Sequence, residues 1–278
     1  MRYLLSMSLT CLLIGFAVVK SDARTIHVPS QFATIQAAVD AAAPGDSIHV
    51  SGGVYANETH PDTIDPTQAD SGVLISTQNI DIVGEDEAVL AGPVSMPTDG
   101  VTVIGIDIEA PGCTVRGLTV RNFEVGIKAG EASERVQANT VTACNVGILC
   151  VFPPIDETLN TTIDHNGCNG NLVGIELDGC SIVTVAHNIA DNNSQIGIWL
   201  TFPTYGCTIT HNEANDNGSV EVPGTGIQVD AIANDMNTNL PFPNLLTQNS
   251  AFGNSIDAVD SFGVNIWAHN KFGTQSGF

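Results

Sequence analysis

Short runs of alternating apolar and polar residues cover most of this chain, and most of the runs end at Asn, Gly or Asp. Between residues 114 and 274 one pattern recurs, as in TIDHN from Thr162, TVAHN from Thr184 and TITHN from Thr208. Its last position recurs at intervals of 21, 27, 22, 24, 37 and 21 residues. That position is Leu in the first copy and Asn in the later ones: Leu118, Asn139, Asn166, Asn188, Asn212, Asn249 and Asn270. A period near 22 residues is typical of a repeat architecture.

A second motif with Gly-Ile at its centre follows the Asn motif, and we interpret it as another strand. Its copies are Val125-Gly126-Ile127, Val146-Gly147-Ile148, Val173-Gly174-Ile175, Ile196-Gly197-Ile198 and Thr225-Gly226-Ile227. Two short strands per unit, with no helical period between them, exclude a βαβ fold. They predict coils whose parallel strands stack on the equivalent strands of the next coil. At the Asn position we expect Asn to adopt the left-handed turn conformation and its amide to bond to the Asn residues above and below.

The segment before the repeats predicts a short helix at residues 31–43. Ser30 is its expected N-cap, and Pro44-Gly45 ends it. The apolar residues Ile35, Ala38, Val39 and Ala42 share one face, so the helix would cover the open end of the coil stack. Strands are then expected at Ser47–Val50, Val73–Ser76 and Ile80–Val83.

Residues 24–55, RTIHVPSQFATIQAAVDAAAPGDSIHVSGGVY, together with the Asn and Gly-Ile coils, resemble the pectate lyase-like superfamily of parallel β-helix proteins. The resemblance covers residues 24–278. It implies an all-β, single-stranded right-handed parallel β-helix with a short N-terminal capping helix. That superfamily includes pectin methylesterases, polygalacturonases, and alginate and chondroitin lyases. This sequence lacks the GxxDF and QDTL segments of methylesterases, the NTD, DD, GHG and RIK segments of polygalacturonases and the DPHD segment of alginate epimerases. The resemblance therefore implies an architecture without a defined activity.

Composition narrows the classes of function. The 278 residues carry a formal charge of −22, from 30 Asp plus Glu and 8 Lys plus Arg, which disfavours nucleic acid and anionic lipid as partners. The hydrophobic fraction of 43% is too high for a disordered acidic chain. The aromatic fraction of only 5% suits a narrow prism of stacked coils, in which small β-branched side chains fit better than rings.

Residues 1–23 are interpreted as a secretory signal, because Arg2 is followed by an apolar run from Tyr3 to Val19. The run is shorter than a spanning helix needs, so we expect no membrane span in the mature protein and an extracellular or periplasmic location. Six cysteines remain after the signal: Cys113, Cys144, Cys150, Cys168, Cys180 and Cys207. In an oxidising compartment they would form up to three disulfides, or they would be buried thiols of the core.

Strand alternation places two columns of side chains on the outside of the coils. If Ile of each Gly-Ile motif points inward, the first outward column is Lys128, Leu149, Glu176, Trp199 and Gln228, and the second is Gly130, Val151, Asp178, Thr201 and Asp230. Long inserts containing Tyr205 follow the same strands. Trp199 would stack on a sugar ring, and the carboxylates of Glu176, Asp178 and Asp230 would act as acid, base or calcium ligands. The predicted substrate-binding residues are Trp199, Asp178, Thr201, Gln228, Asp230 and Tyr205, against the alternative that this face is merely solvated.

Basic residues are scarce and clustered, since four of the six outside the signal are Arg116, Arg121, Lys128 and Arg135. The resemblance to lyases implies that a Lys or Arg would remove the proton beside a uronate carboxylate, with calcium or another Arg neutralising that carboxylate. Arg116, Arg121, Lys128 and Glu176 are therefore the candidate catalytic residues. The alternative is local pairing of the basic residues with Glu124, Glu131 and Glu134.

A histidine column precedes the Asn position at His165, His187, His211 and His269. Stacked imidazoles would offer nitrogen ligands to a metal, but a straight ladder converges poorly on a tetrahedral ion, which favours structural stacking.

The sequence thus predicts a protein that binds an extracellular polysaccharide and that would cleave an acidic one by β-elimination if it is catalytic, with calcium as the candidate cofactor. The competing hypothesis is a non-catalytic surface or matrix repeat protein with a structural or cation-binding role. Oligomeric state is not predictable from these patterns.

Overall fold

The computed structural model describes residues 23–56, 60–61, 69–93, 102–151, 160–201, 203–219, 221–231 and 242–277. The predicted signal lies outside these ranges except for Ala23. In the described part of the chain no helix is long and apolar enough to cross a membrane.

Each complete coil contributes one strand to each of three parallel sheets, in the order sheet 1, sheet 2, sheet 3. The strands of sheet 1 are Thr25–Val28, Ser47–Val50, Asp81–Gly84, Thr114–Arg116, Arg135–Gln137, Thr162–Asp164, Thr184–Ala186, Thr208–Thr210, Leu245–Thr247 and Ile266–Ala268. The strands of sheet 2 are Gly53–Ala56, Ala88–Ala91, Thr119–Arg121, Thr140–Thr142 and Gly167–Cys168, continued through single bridges at Ile189 and Glu213 to Ser250–Ala251 and Lys271–Phe272. The strands of sheet 3 are Ala69–Ile75, Thr102–Ile108, Val125–Ala129, Val146–Val151, Val173–Asp178, Ile196–Leu200, Thr225–Val229, Ile256–Asp260 and Gln275–Ser276, with His60–Pro61 added antiparallel at one edge.

The repeat therefore has three strands per coil, and the prediction of two was wrong. The Asn motif contains two strands rather than one, since Thr184–Ala186 and the bridge at Ile189 lie on either side of the Asn188 corner. The pairs keep strict register, as in Ile163 opposite Val185 and Val185 opposite Ile209. These Val and Ile side chains are fully buried and stack along the axis, so each coil completes its core only against its neighbours.

The Asn column forms a continuous ladder inside the corner between sheets 1 and 2. Each amide nitrogen donates to the Oδ1 of the next Asn at 3.0–3.1 Å from Asn139 through Asn270. The ladder was predicted, but its backbone conformation was not. The left-handed residue is the one before each Asn, for example Ala138 at φ 53° and His187 at φ 56°, because the turn must bring the Asn side chain inward.

A second ladder, which sequence reasoning missed, occupies the corner between sheets 2 and 3. Backbone N–H groups of successive coils donate to the Oδ1 atoms of Asn171, Asn193, Asn217 and Asn254 at 2.7–3.0 Å. The signal was present, since these residues are the tenth position of the repeats that begin at Thr162, Thr184, Thr208 and Leu245.

A helix at Ile35–Ala41 covers the first coil, and its own residues Ile35, Ala38 and Val39 are buried in the core of the stack. It is shorter than the predicted 31–43, and its N-cap is Thr34 rather than Ser30. Thr34 Oγ1 accepts the Ala37 N–H at 3.1 Å, so the chain becomes helical one turn later than expected.

A charged clamp closes the same end of the stack. Arg24 donates from Nε to the buried Asp46 carboxylate at 3.0 Å. The hydrogen bonds from the Arg24 side chain lower the pKa of Asp46 to about 2, against the opposing effect of burial. This pair ties the first strand to the turn that follows the helix.

The six cysteines that follow the predicted signal are all free and buried. The predicted alternative of core thiols is the one observed. Burial raises the pKa of the Cys144 thiol to about 11 and that of Cys207 to about 12, and it also raises those of Cys113, Cys168 and Cys180.

Candidate functional site

The outward face of sheet 3 carries the two predicted columns in the predicted register. Lys128 is opposite Leu149, Leu149 opposite Glu176, Glu176 opposite Trp199, and Trp199 opposite Gln228. These side chains are half-buried, whereas the strand neighbours on either side are fully buried. Alternation along the strand thus positions an aromatic ring beside carboxylate and amide groups on one surface.

Trp199 belongs to a hydrogen-bonded group that is centred on Asp230 and spans three coils. Its indole Nε1 donates to Asp230 Oδ2 at 2.9 Å, and Gln228 Nε2 donates to the same oxygen at 2.6 Å. Ser261 donates its hydroxyl proton to Asp230 Oδ1. Both carboxylate oxygens are therefore engaged, and the orientation of the indole is set by the protein.

These contacts also set the charge of Asp230. Partial burial opposes ionisation, but the hydrogen bonds from Ser261, Gln228 and Trp199 prevail and lower its pKa below the ordinary aspartate value. Asp230 therefore remains a carboxylate and a strong acceptor throughout the neutral range.

Glu176 and Asp178 lie two residues apart on the strand Val173–Asp178 and both face outward. Burial first, and then the charge of Asp178, raise the pKa of Glu176. Thr201, in the next coil, donates its hydroxyl proton to Asp178 Oδ1 at 2.7 Å. The face therefore places Glu176, which is easier to protonate than an ordinary glutamate, near Asp178, which accepts a hydrogen bond from the next coil.

Tyr205 lies where the sequence predicted it, in the insert that follows the strand Ile196–Leu200, and its ring centroid is 6.2 Å from that of Phe242. Ser261 was missed. It follows the strand Ile256–Asp260, and the coil of that strand lacks the Gly-Ile motif. Ser261 could have been found only by extending the column of Asp178, Thr201 and Asp230 by one coil.

The candidate catalytic residues do not converge. Arg116 belongs to sheet 1, Arg121 to sheet 2 and Lys128 to sheet 3. The reason is that one coil passes all three faces within about 15 residues, so residues clustered in sequence are distributed around the prism. Glu176 shares the outward column with Lys128 but is two strands away.

Arg116 and Lys128 pair with acidic residues other than the predicted Glu124, Glu131 and Glu134. Arg116 pairs with Asp81 at 3.2 Å, and the Lys128 ammonium lies 3.0 Å from Asp107 and 3.9 Å from Glu109. Parallel stacking brings residues of the preceding coil closer than sequence neighbours, which point to other faces. Glu134 instead lies inside the prism, only 1% exposed.

The residues predicted to bind calcium, Glu176, Asp178 and Asp230, do not form a coordination shell. Asp230 is separated from Asp178 by the intervening Thr201 strand, and both of its oxygens accept hydrogen bonds. In the described ranges no group of three or more His, Cys, Asp or Glu side chains is arranged to hold a metal ion.

The fold and the outward face together define a right-handed parallel β-helix protein with a polar, aromatic-centred surface. Residues 100–272 match the family model described as right handed beta helix region, and the chain belongs to that family. Among curated proteins, none matches the sequence.

Solved structures share the architecture at low sequence identity. Pectate lyase Pel9A superposes with a TM-score of 0.63 at 16% identity, covering 92% of this chain and 79% of that one. An alginate lyase from Paenibacillus sp. str. FPU-7 gives 0.61 at 15%, covering 91% and 97%. The tailspike protein of E. coli bacteriophage HK620, solved in complex with a pentasaccharide, gives 0.54 at 11%, covering 89% and 52%. At these identities the similarity establishes the fold.

Proposed function

We propose that this protein binds an extracellular polysaccharide along the outward face of sheet 3, with Trp199 as the stacking platform. The observation that carries the proposal is the fixed indole, held by Asp230 and flanked by Glu176 and Gln228. A preoriented aromatic ring with neighbouring acceptors suits a sugar, which presents an apolar ring face and a rim of hydroxyl donors.

The charge of the face favours a hydroxyl-rich polymer of low negative charge. Glu176, Asp178 and Asp230 accept hydrogen bonds from hydroxyl groups, whereas they repel the carboxylates of a uronate chain. With a formal charge of −22 on the whole sequence, this repulsion extends over the rod. A divalent cation bridging polymer and protein would be needed to reverse it.

Eliminative cleavage has less support than binding. A lyase needs a basic group beside the substrate carboxylate, and the basic residues are distributed over three sheets. On sheet 3 itself, Lys128 is engaged by Asp107 and Glu109. Binding without cleavage is therefore the activity that we assign to the face.

The resemblance in fold to two polysaccharide lyases and to a tailspike solved with an oligosaccharide is compatible with this function but does not carry it. Export of the protein, expected from residues 1–23, is part of the proposal because the ligand is extracellular.

The test is affinity electrophoresis of the protein through gels that contain neutral or uronate polysaccharides, with and without calcium. We expect retardation by at least one neutral polymer, independent of calcium, and no rise in ultraviolet absorbance from unsaturated products. If none of the polymers retards the protein, the assignment is wrong. Release of unsaturated products would show that the face is a lyase site instead.

A further inference from the structure

A second surface feature lies at the corner between sheets 1 and 2, away from the face of sheet 3. The residues before the ladder asparagines point outward there, and three of them in consecutive coils are His165, His187 and His211. Their rings stack with centroid separations of 4.9 and 4.8 Å and interplanar angles of 22° and 24°. The corner opens into a shallow cavity of about 560 Å³, lined by His187, His211 and His269 together with Glu213, Gln248 and Lys271.

The sequence alone favoured a purely structural stack. The hydrogen bonds of two of these rings change that conclusion, because they are made by Nδ1, the ring nitrogen nearer to the backbone. His165 Nδ1 lies 3.0 Å from Asp164 Oδ2, and His211 Nδ1 lies 2.8 Å from Thr210 Oγ1. In His165 the Asp164 carboxylate accepts the Nδ1 proton, so Nε2 carries the lone pair of the neutral ring, which is the arrangement found behind metal-bound histidines.

We propose that this column is a binding site for a divalent transition metal ion, with His187 and one neighbouring histidine as its two protein ligands. Imidazole is a preferred ligand of Zn²⁺, Ni²⁺ and Cu²⁺ and is avoided by Ca²⁺ and Mg²⁺. Water completes the shell, in agreement with the absence of any arranged group of three ligating side chains in the described part of the chain.

The two rings must tilt toward one another to share an ion, since metal–nitrogen bonds are about 2.0–2.1 Å long. Such a tilt is open to them because His187 and His211 line a cavity at the surface, and the side chain of His165 is 59% exposed. Glu213 and the acidic coat raise the local concentration of cations.

His187 is the decisive residue, because it belongs to both adjacent pairs. Without it, His165 and His211 are two coils apart. His269 is a matched control in the same column, since Gln248 separates it from His211. His49 is a control elsewhere: it lies 5.6 Å from His27 in a tilted pair, and its Nδ1 is bonded to Glu85 at 2.6 Å.

A metal that joins adjacent coils binds the folded state and should stabilise it. The experiment is thermal unfolding of the untagged protein with Zn²⁺, with Ca²⁺ as the comparison ion. We expect Zn²⁺ to raise Tm by several degrees in the wild type, H269Q and H49Q, and to leave H187Q unchanged. Cu²⁺ binding followed by electron paramagnetic resonance should show hyperfine coupling from two imidazole nitrogens in the wild type and fewer in H187Q.

Three results would overturn the proposal. Equal stabilisation by Zn²⁺ and Ca²⁺ would assign the effect to the acidic surface. Loss of the effect in H49Q rather than in H187Q would place the ion on the other histidine pair. The third result is an unchanged Tm with Zn²⁺ in every variant together with no nitrogen coupling to Cu²⁺.

Discussion

Trp199 and Asp230 lie in adjacent coils, and the indole of the first is held at 2.9 Å by the carboxylate of the second. The contact crosses from the first outward column of sheet 3 to the second, so it depends on the register between coils as well as on the two residues. Gln228 donates to the same carboxylate oxygen as the indole, and Ser261 donates to the other oxygen. The binding face is therefore built by the stack, and its geometry should be lost when the stack is disturbed.

Substitution of Asn188 measures how much the Asn ladder contributes to the free energy of unfolding. Its Oδ1 accepts from the backbone and side-chain amides of Asn166, and its own amide donates to Ile163 and Asn212. In N188A these buried partners lose their bonds, so we expect a loss of about 2–4 kcal/mol in the free energy of unfolding. N169A is the control, since Asn169 is exposed and accepts one bond from Asp191. Chemical denaturation measures both, and equal small losses would contradict the structural role of the ladder.

Ala138 occupies the left-handed corner position with φ 53°, where the preceding coil has Gly117 at φ 74°. An alanine in this conformation is strained by roughly 1 kcal/mol, which glycine avoids. We therefore expect A138G to raise the free energy of unfolding by up to about 1 kcal/mol. A186G, in a strand of sheet 1, should lower it. If A138G destabilises as much as A186G does, the assigned corner conformation is wrong.

Glu134 makes the stability depend on pH. Its carboxyl group is buried, and this burial, with smaller contributions from the charges of Cys150, Glu131 and Asp107 and against a hydrogen bond from the Glu131 backbone, raises its pKa to about 9. The folded protein therefore retains a proton that the unfolded chain releases near pH 4.5. The contribution of Glu134 to the free energy of unfolding is fully present below pH 4.5. It is lost as the pH rises to about 9, by up to roughly 1.4 kcal/mol per pH unit.

The variant E134Q removes this titration and should flatten the fall in stability between pH 5 and 9. E221Q is the control, because Glu221 is exposed and is not among the groups that act on Glu134, so this variant should keep the slope of the wild type. Denaturant titrations across that range would contradict the assignment if E134Q and the wild type had the same slope.

The number of cysteines that a thiol reagent labels tests whether the thiols are free. All six thiols are buried and free, so a thiol reagent should not react with the native protein. After unfolding without reductant it should label all of Cys113, Cys144, Cys150, Cys168, Cys180 and Cys207. Fewer labelled cysteines than in a reduced sample would indicate disulfides.

The parts of the structure that follow from a local period were predictable, and those that depend on contacts between coils were not. The Gly-Ile motif places Glu176, Trp199 and Gln228 in one column because alternation and a constant repeat determine which side chains align. The partners of Arg116 and Lys128 lie a coil earlier in the chain, at distances of 35 and 21 residues in sequence. The strand of sheet 2 in each coil was not recognised in the sequence, because a tight Asn corner of only two or three residues separates it from the strand of sheet 1.

The most direct test of the account is the affinity of W199A for the polysaccharide that binds the wild-type protein. Loss of the stacking platform should weaken binding at least tenfold, which is about 1.4 kcal/mol, as measured by isothermal titration calorimetry. F252A, which removes an exposed aromatic ring outside sheet 3, should bind like the wild type. Unchanged affinity in W199A, with the fold intact by circular dichroism, would show that the face of sheet 3 is not the binding site.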